Sequence, residues 1–217
     1  WRKLHEKADL FKGPLLHTSP IYEKAQTLRA IVQGEREDLK LSQSFLDLNN
    51  FSPDMPLYSH QVEAVMKGVS GNSYMVATGT GSGKTESFLF PVLDTIFKNP
   101  GPGLRAILIY PMNALANDQL DRLEKMLGDC VDITFGRYTG ETPENEEGLN
   151  RARGQFPANM RCTREEIREN PPNILITNYA MMEYLLLRPS DSQIFSGHKL
   201  STIVLDEAHV YSGAQGI

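Results

Sequence analysis

Short apolar runs alternate along this chain with segments whose apolar residues recur every three or four positions. Short runs of this kind predict buried strands, and the longer spacing predicts helices. The predicted strands lie at residues 73–77, 105–110, 131–138, 173–177 and 202–206. The predicted helices lie at residues 21–32, 59–69, 84–98, 113–127 and 178–187. Strands that alternate with helices predict an α/β fold, in which helices cover both faces of a parallel sheet.

Two stretches rich in turn-forming residues divide this pattern. Residues 49–56 are predicted to link an N-terminal helical extension, residues 1–56, to the main domain, residues 57–217. Residues 99–103 read Asn-Pro-Gly-Pro-Gly, which marks a break between a helix and the next strand. The chain has 217 residues, and its 40 % apolar content is enough to bury a sizeable core.

A glycine-rich segment carries the first sign of chemistry. Residues 77–85 read Ala-Thr-Gly-Thr-Gly-Ser-Gly-Lys-Thr and lie between a predicted strand and a predicted helix, the context that a phosphate-binding loop requires. Glycines let the backbone approach a phosphate closely, and the N–H groups then form a nest for an anion at the helix N-terminus. Thr78 stands where the usual pattern opens with Gly or Ala, a change that is physically harmless at a strand end. The residues predicted to bind ATP here are Gly79, Thr80, Gly81, Ser82, Gly83, Lys84 and Thr85.

A pair of acids follows the β-branched run at residues 201–205. This run would place Asp206 and Glu207 at the carboxyl edge of a parallel sheet, where such sheets bind ligands. Asp206 is predicted to hold Mg²⁺ through water, together with the Thr85 hydroxyl, since magnesium prefers oxygen ligands. Glu207 is predicted to deprotonate the attacking water, and Lys84 to reach the β- and γ-phosphates. His209 is predicted to link the nucleotide state to a neighbouring element.

These two segments resemble motifs I and II of the DEAD/DEAH-box side of helicase superfamily 2. Residues 57–61, Leu-Tyr-Ser-His-Gln, resemble the Q-motif, which implies that Gln61 reads the adenine edge and that Tyr58 belongs to the ATP site. Residues 110–119, 138–142 and 176–182 resemble, in the same order, motifs that contact nucleic acid. By this resemblance the nucleic-acid-binding residues are Pro111, Asn113, Thr139, Gly140, Thr142, Thr177 and Asn178.

A finer similarity is to large bacterial DNA helicases, which include a mitomycin-repair helicase and helicases of phage-defence systems. Residues 179–189 and 209–217 are similar to that group, and residues 1–56 carry no resemblance to a family that can be named from the sequence. The resemblance implies the first RecA-like lobe of a P-loop NTPase, with ATP and Mg²⁺ as cofactors and DNA favoured as the partner. It also implies that the chain is part of a longer protein, in which a second RecA-like lobe supplies arginines and which has defence or repair partners.

Composition narrows the class of partner and compartment. A formal charge of −5 and a pI near 5.6 exclude a broadly basic protein that coats nucleic acid, so any such contact must be local. Cys130 and Cys162 are far apart and form no metal-binding pattern, which fits a reducing cytoplasm. The chain has no apolar run of 18 residues, so no membrane span is expected.

Several alternatives stay open at this point. Residues 141–170 mix glutamates with arginines, and they form either a solvated insertion or a basic strip that faces nucleic acid; the arginines are Arg151, Arg153, Arg161, Arg164 and Arg168. The protein could also be a nucleoside-triphosphate switch that never translocates, or a helicase directed at RNA. A protein-interaction module without catalysis is disfavoured, because it has no physical need for Lys84, Thr85, Asp206 and Glu207 together.

Overall fold

The computed structural model describes residues 22–34, 41–48, 52–79, 81–149, 156–197 and 199–211. Some sequence predictions fall elsewhere. Predictions that concern Ile21, Thr80, Arg151, Arg153 and residues 212–217 lie outside the described residues.

The described residues form seven strands, six α-helices and several short 3₁₀ segments. The strands are β1 (Lys24–Thr27), β2 (Pro56–Tyr58), β3 (Ala106–Tyr110), β4 (Phe135–Tyr138), β5 (Met160–Arg161), β6 (Ile174–Asn178) and β7 (Thr202–Leu205). The helices are α1 (Leu28–Gln33), α2 (Ser59–Val69), α3 (Lys84–Lys98), α4 (Asn113–Leu127), α5 (Arg164–Glu169) and α6 (Tyr179–Leu187). The helices predicted at 59–69, 84–98 and 113–127 are confirmed.

A five-stranded parallel sheet with the order β5-β4-β6-β3-β7 forms the centre of the domain. Its register places Tyr110 opposite Asn178 and Tyr138 opposite Thr177, while Leu205 lies opposite Ile109. The carboxyl ends of four strands therefore meet at one edge, as parallel pairing requires. The predicted α/β class is confirmed.

Apolar clusters cover the two faces of this sheet. The larger cluster joins the sheet to α3 and α4, and Leu28, Ile31 and Phe45 from the N-terminal part of the chain pack into it. The smaller cluster joins the other face to α6 and to the 3₁₀ segment Pro189–Phe195. Among the described residues, none of the helices has both the length and the apolar character that a membrane span requires.

The helix predicted at residues 21–32 is wrong in its first half. Lys24–Thr27 is a strand that pairs antiparallel with Pro56–Tyr58. The helix begins only at Leu28, because the Thr27 hydroxyl accepts a hydrogen bond from Ala30 N and caps it there.

The strand predicted at residues 73–77 is also wrong. This segment forms no strand pairing with the described residues, and the Met75 side chain is 84 % exposed. Its apolar residues do not by themselves make a strand, because a strand also requires a partner for its backbone. The Tyr74 hydroxyl instead donates to Ser87 O on α3 at 2.7 Å. Among the described residues β7 is thus an edge of the sheet, with Ile203 and Leu205 more than half exposed.

Residues 131–170 differ from the predictions in two ways. The strand predicted at 131–138 begins at Phe135, because the Asn159 side chain donates to Leu127 O, Cys130 O and Ile133 O and holds the connection as a loop. The stretch at 141–170 was predicted to be an insertion or a basic strip, but its described part contains the edge strand β5 and helix α5.

Candidate nucleotide site and nucleic-acid interface

The glycine-rich loop enters helix α3 through a left-handed residue. Gly83 is the N-cap of α3 with φ of 73°, and Gly81 has φ of 74°. A Cβ on Gly83 would lie 2.4 Å from Gln61 Nε2 and 3.0 Å from Glu86 Oε2. Glycine is favoured there because this backbone angle strains any residue with a Cβ, and because a Cβ would push the ends of the Gln61 and Glu86 side chains away from the loop. The Ser82 side chain is fully buried, and its hydroxyl lies 2.7 Å from Thr78 Oγ1.

Side chains at the start of α2 form hydrogen bonds with the backbone of this loop. Gln61 Nε2 donates to Gly83 O at 2.9 Å, and Gln61 Oε1 accepts from Tyr58 N at 2.8 Å. His60 Nε2 lies 2.9 Å from Ser82 O, so this ring nitrogen carries the proton. Both ends of the Gln61 amide are therefore engaged with the protein. Gln61 supports the phosphate loop in this structure, and its reading of adenine stays a prediction.

An aromatic cluster lies beside the loop. The rings of Tyr58 and His60 stack with centroids 5.7 Å apart and planes 13° apart. Tyr22 packs against both rings, and its hydroxyl accepts a hydrogen bond from Gly79 N at 3.0 Å. Sequence reasoning missed Tyr22, because it assigned that residue to a helix and nothing in the local pattern points to the loop.

The acidic pair follows β7 directly. Asp206 N donates to Ile109 O, which extends the pairing with β3, and Glu207 N donates to Asp206 Oδ1 at 2.9 Å. Glu207 has φ of 49° and is the one non-glycine residue with positive φ in the described part of the chain. Such strained backbone is concentrated at functional sites. His209 Nδ1 lies 3.3 Å from Glu207 Oε2, which brings the predicted coupling residue to the predicted base.

The electrostatics of Asp206 connect the two motifs. Burial raises the pKa of the Asp206 carboxyl, while the hydrogen bond from Glu207 N lowers it. The neighbouring Glu207 charge raises the Asp206 pKa again, and the Lys84 ammonium lowers it. Lys84 and Asp206, which are far apart in sequence, therefore interact at the carboxyl edge of the sheet.

The donor groups at this edge fit Mg²⁺. The Thr85 hydroxyl and the Asp206 carboxylate are the oxygen ligands that Mg²⁺ prefers, and Mg²⁺ is usually held by one or two carboxylates together with phosphates and water. In the part of the chain that the structure describes, no group of three or more His, Cys, Asp or Glu side chains could hold a metal. A site that also takes ligands from a bound nucleotide needs no such group.

Tyr110 adds a second unusual group near Asp206. Its hydroxyl is buried and has no hydrogen-bond partner among the described residues. Burial raises the pKa of Tyr110, and the Asp206 charge raises it further. Sequence reasoning did not single out this residue, because it reads as the last position of an apolar strand.

Glu141 joins the three predicted nucleic-acid motifs. Asn113 Nδ2 and Asn117 Nδ2 donate to its two carboxylate oxygens at 2.9 and 3.3 Å. Asn178 Nδ2 donates to Asn113 Oδ1 at 2.6 Å, so the start of α6 is tied to the start of α4. The hydrogen bonds from Asn113 and Asn117 are the largest causes that lower the pKa of Glu141. The three motifs thus lie together, and the acid that joins them was not among the predicted contacts.

The predicted threonines face the protein. Thr177 is fully buried and its hydroxyl donates to Tyr138 O at 2.7 Å. The Thr142 hydroxyl donates to Arg137 O and accepts from Thr139 N, and Thr139 Oγ1 accepts from Glu141 N. Of the other predicted contacts, Gly140 is exposed, and three residues are partly exposed: Pro111, Asn113 and Asn178. Contact of all these residues with nucleic acid stays a prediction.

Two arginines support the 139–144 loop from behind. Arg164 Nη2 donates to Thr139 O at 2.9 Å, and Arg168 forms an ion pair with Glu144. Arg168 also lies 3.6 Å from the buried Asp191 carboxylate, which accepts a hydrogen bond from the Tyr138 hydroxyl. These cations stabilise the loop, and they do not form the exposed basic strip considered from the sequence.

Comparison with known proteins agrees with this geometry. The chain is 28 % identical to the Druantia protein DruE of Escherichia coli (strain UMEA 4076-1), over 98 % of this chain and 17 % of DruE. It is 32 % identical to the uncharacterized ATP-dependent helicase MJ1574 of Methanocaldococcus jannaschii, over 74 % of this chain and 21 % of that protein. The chain therefore spans about a fifth of the length of these relatives.

A solved structure is similar over most of the chain. The crystal structure of the DUF1998 helicase MrfA bound to DNA matches with a TM-score of 0.61 and 26 % identity, over 89 % of this chain and 24 % of MrfA. The match supports a RecA-like arrangement of the sheet and helices described above.

The family itself follows from a match that covers most of the chain. A sequence model described as DEAD/DEAH box helicase matches residues 58–216, which include the phosphate loop, the acidic pair and the motifs between them. The chain therefore belongs to the DEAD/DEAH box helicase family.

Proposed function

We propose that this chain provides the ATP-binding lobe of an ATP-dependent superfamily 2 helicase or translocase that acts on DNA. In this proposal residues 57–217 are the first RecA-like lobe, residues 1–56 extend it, and a second lobe belongs to the complete gene product. The observation that carries the proposal is the geometry of the two motifs: Gly83 caps α3 with a left-handed backbone, and Asp206 continues β7 at the carboxyl edge of the parallel sheet. A phosphate-binding lysine and a magnesium-binding acid need to share one edge of a sheet.

Each group at this edge has a defined chemical task in the proposal. The N–H groups at residues 79–85 bind the phosphates at the positive end of α3, and Lys84 contacts the β- and γ-phosphates. Thr85 and Asp206 would hold Mg²⁺, which when bound neutralises charge on the phosphates. Glu207 orients the attacking water and accepts its proton. His209, which contacts Glu207, reports this state to a neighbouring element.

The second lobe completes the mechanism that we propose. Related phosphoryl-transfer systems gain roughly 10³–10⁵ in rate from an arginine supplied by another element. The lobe described here should therefore bind ATP and hydrolyse it poorly without that partner. DNA phosphates would lie across the loops at 111–113, 139–142 and 177–178.

DNA is favoured over RNA by the similarity to MrfA, whose structure was solved with DNA bound. The similarity to the large bacterial helicases supports a role in phage defence or repair, with partners from those systems. Both cysteines are free thiols, which supports a reducing compartment, the cytoplasm.

The test is ATP hydrolysis by the complete gene product with and without nucleic acid. We expect hydrolysis that requires Mg²⁺ and is stimulated by DNA, and a rate about 10²–10⁴-fold lower for a Glu207→Gln variant purified in parallel. Equal rates with and without any nucleic acid would overturn the motor assignment in favour of a nucleotide switch. Stimulation by RNA alone would replace DNA as the substrate.

A further inference from the structure

Glu86 is an acid in an unexpected place. It follows Thr85 in the first turn of α3, directly behind the phosphate loop, and only 8 % of its surface is exposed. A buried carboxylate is stable only when it is paired and hydrogen-bonded. Without a partner, it would also repel the phosphates that the loop is proposed to bind.

Arg122 supplies that partner from another helix. Its guanidinium, on α4, forms an ion pair with Glu86 Oε1. The other oxygen, Glu86 Oε2, lies 3.4 Å from Gln61 Nε2, and the same amide nitrogen donates to Gly83 O. A continuous chain of contacts therefore runs from Arg122 through Glu86 and Gln61 to the left-handed residue of the phosphate loop.

The other end of α4 belongs to the nucleic-acid motifs. Asn113 is its first residue, and Asn113 and Asn117 both donate to Glu141. Arg122 lies nine positions after Asn113, which is about 13.5 Å of helix at 1.5 Å per residue. A helix of this length moves as a rigid rod, so a displacement of its N-terminus also displaces Arg122.

We propose that the Glu86–Arg122 ion pair positions the phosphate loop and couples it, through α4, to nucleic acid bound at the start of that helix. Glu86 and Arg122 are positioning residues, and neither needs to touch the nucleotide. The coupling rests on the proposed function, because it requires that nucleotide and nucleic acid bind at these two sites. The positioning of the loop does not depend on nucleic acid.

The test measures nucleotide affinity directly in the complete gene product. Calorimetry with the slowly hydrolysed analogue ATPγS and Mg²⁺ would compare the parent with Arg122→Ala, Glu86→Gln and the double variant, with and without single-stranded DNA. Lys125→Ala is the matched control, because it removes the same charge from an exposed position on the same helix. A thermal melt without ligand accompanies each variant.

We expect Arg122→Ala to weaken ATPγS binding roughly 5- to 150-fold, the usual range for an energetic coupling between sites. In the double variant part of this loss should be recovered, because no buried charge is left to repel the phosphates, and the loss that remains measures the missing positioning of the loop. A general packing role for Arg122 would not be reversed by a second substitution. The effect of DNA on ATPγS affinity should stay reduced in all three variants, since none of them keeps the ion pair.

Some outcomes overturn the inference and others the proposed function. The inference would be contradicted if Arg122→Ala and Glu86→Gln bound ATPγS as tightly as the parent and if DNA changed that affinity as much as in the parent. If Arg122→Ala does not fold, the near-isosteric Glu86→Gln decides, because it too must reduce the DNA response. A parent protein that binds ATPγS with no response to DNA would instead contradict the proposed motor, while the affinities of the variants still test the positioning of the loop.

Discussion

The phosphate loop and the loops after β3, β4 and β6 lie at the same edge of the sheet but are held in different ways. The phosphate loop is fixed by side chains from other segments, chiefly Gln61, His60 and Tyr22, and the residues before it form no strand. The other three loops leave paired strands whose register already brings their ends together. The buried Thr177 hydroxyl then ties the end of β6 to β4, and the Asn113 and Asn178 side chains join the loop after β3 to the other two.

This difference indicates which residues serve function alone and which also stabilise the fold. Lys84 and Glu207, which are predicted to act on the nucleotide, are only partly buried, so substitutions there should change chemistry more than stability. At the nucleic-acid face the predicted contacts Thr139, Thr142 and Thr177 are part of the fold, so substitutions there should reduce stability first. The following predictions test this contrast, from the largest expected effect to the smallest.

The largest effect is expected at Glu207. Glu207→Gln keeps the size of the side chain but removes its ability to accept a proton, so the rate of ATP hydrolysis by the complete gene product should fall about 10²–10⁴-fold. Nucleotide affinity and thermal stability should stay close to those of the parent. Steady-state hydrolysis, calorimetry and a thermal melt check these three quantities, with Glu183→Gln, at an exposed position of α6, as the control. A parent-like rate would exclude Glu207 as the base.

The next effect is expected at Lys84. Lys84→Ala removes a charge-assisted contact worth roughly 1.5–3 kcal/mol, which corresponds to about a tenfold to hundredfold loss of affinity for ATP with Mg²⁺. Calorimetry measures this loss, and the Lys125→Ala variant controls for the change in net charge. The melting temperature without ligand should not change. Unaltered affinity in a folded variant would exclude residues 79–85 as the phosphate site.

The sequence predicted the sheet where strands have partners inside the chain. The runs ending at Tyr110 and Asn178 are strands because they pair with each other, and apolar periodicity is enough to find such elements. The run at 73–77 has the same apolar character and lacks a partner among the described residues, which periodicity cannot reveal. Pairing is a property of two segments, and a single pattern describes only one.

Motif chemistry predicted which residues form the candidate site, but it did not predict the partners of each side chain. Local spacing predicted Lys84, Asp206 and Glu207, because each role depends on residue type at a strand end or a helix start. Glu86 on α3 and Arg122 on α4 are brought together only by tertiary packing, so no local sequence pattern predicts their ion pair. The contact between Tyr22 and Gly79 N could likewise not be predicted from a local pattern, since it spans 57 residues.

A smaller effect, on stability, is expected at Thr177. Thr177→Val removes the hydroxyl that donates to Tyr138 O and should lower the free energy of unfolding by about 1–3 kcal/mol. Any loss of DNA affinity should be similar for different sequences and should depend on salt, because such contacts go to phosphates. Thermal melts and binding at several salt concentrations check both, with Thr202→Val as the control. Unchanged stability with lost DNA binding would mean that this hydroxyl acts on the phosphate itself.

The smallest effect on stability is expected at Asp206. Here a substitution should stabilise the protein, whereas Thr177→Val should destabilise it. Burial raises the pKa of Asp206, so the protonated form is favoured in the folded protein, and this stabilisation is lost as pH rises through the folded-state pKa. At neutral pH the ionised carboxylate therefore destabilises the folded protein. Asp206→Asn should raise the melting temperature of the nucleotide-free protein. The gain should be small, because solvent screens a half-buried group.

The pH dependence of this gain separates its cause from a general packing effect. The difference in melting temperature between Asp206→Asn and the parent should shrink as pH falls below the usual carboxyl range, where the parent is protonated in both states. The same variant should lose Mg²⁺-dependent nucleotide binding, since the amide is a poorer ligand for Mg²⁺. The exposed substitution Asp118→Asn controls for net charge. A lower melting temperature for Asp206→Asn at neutral pH would show that favourable contacts of the carboxylate outweigh its burial, and that the site is built to hold a charge even without nucleotide.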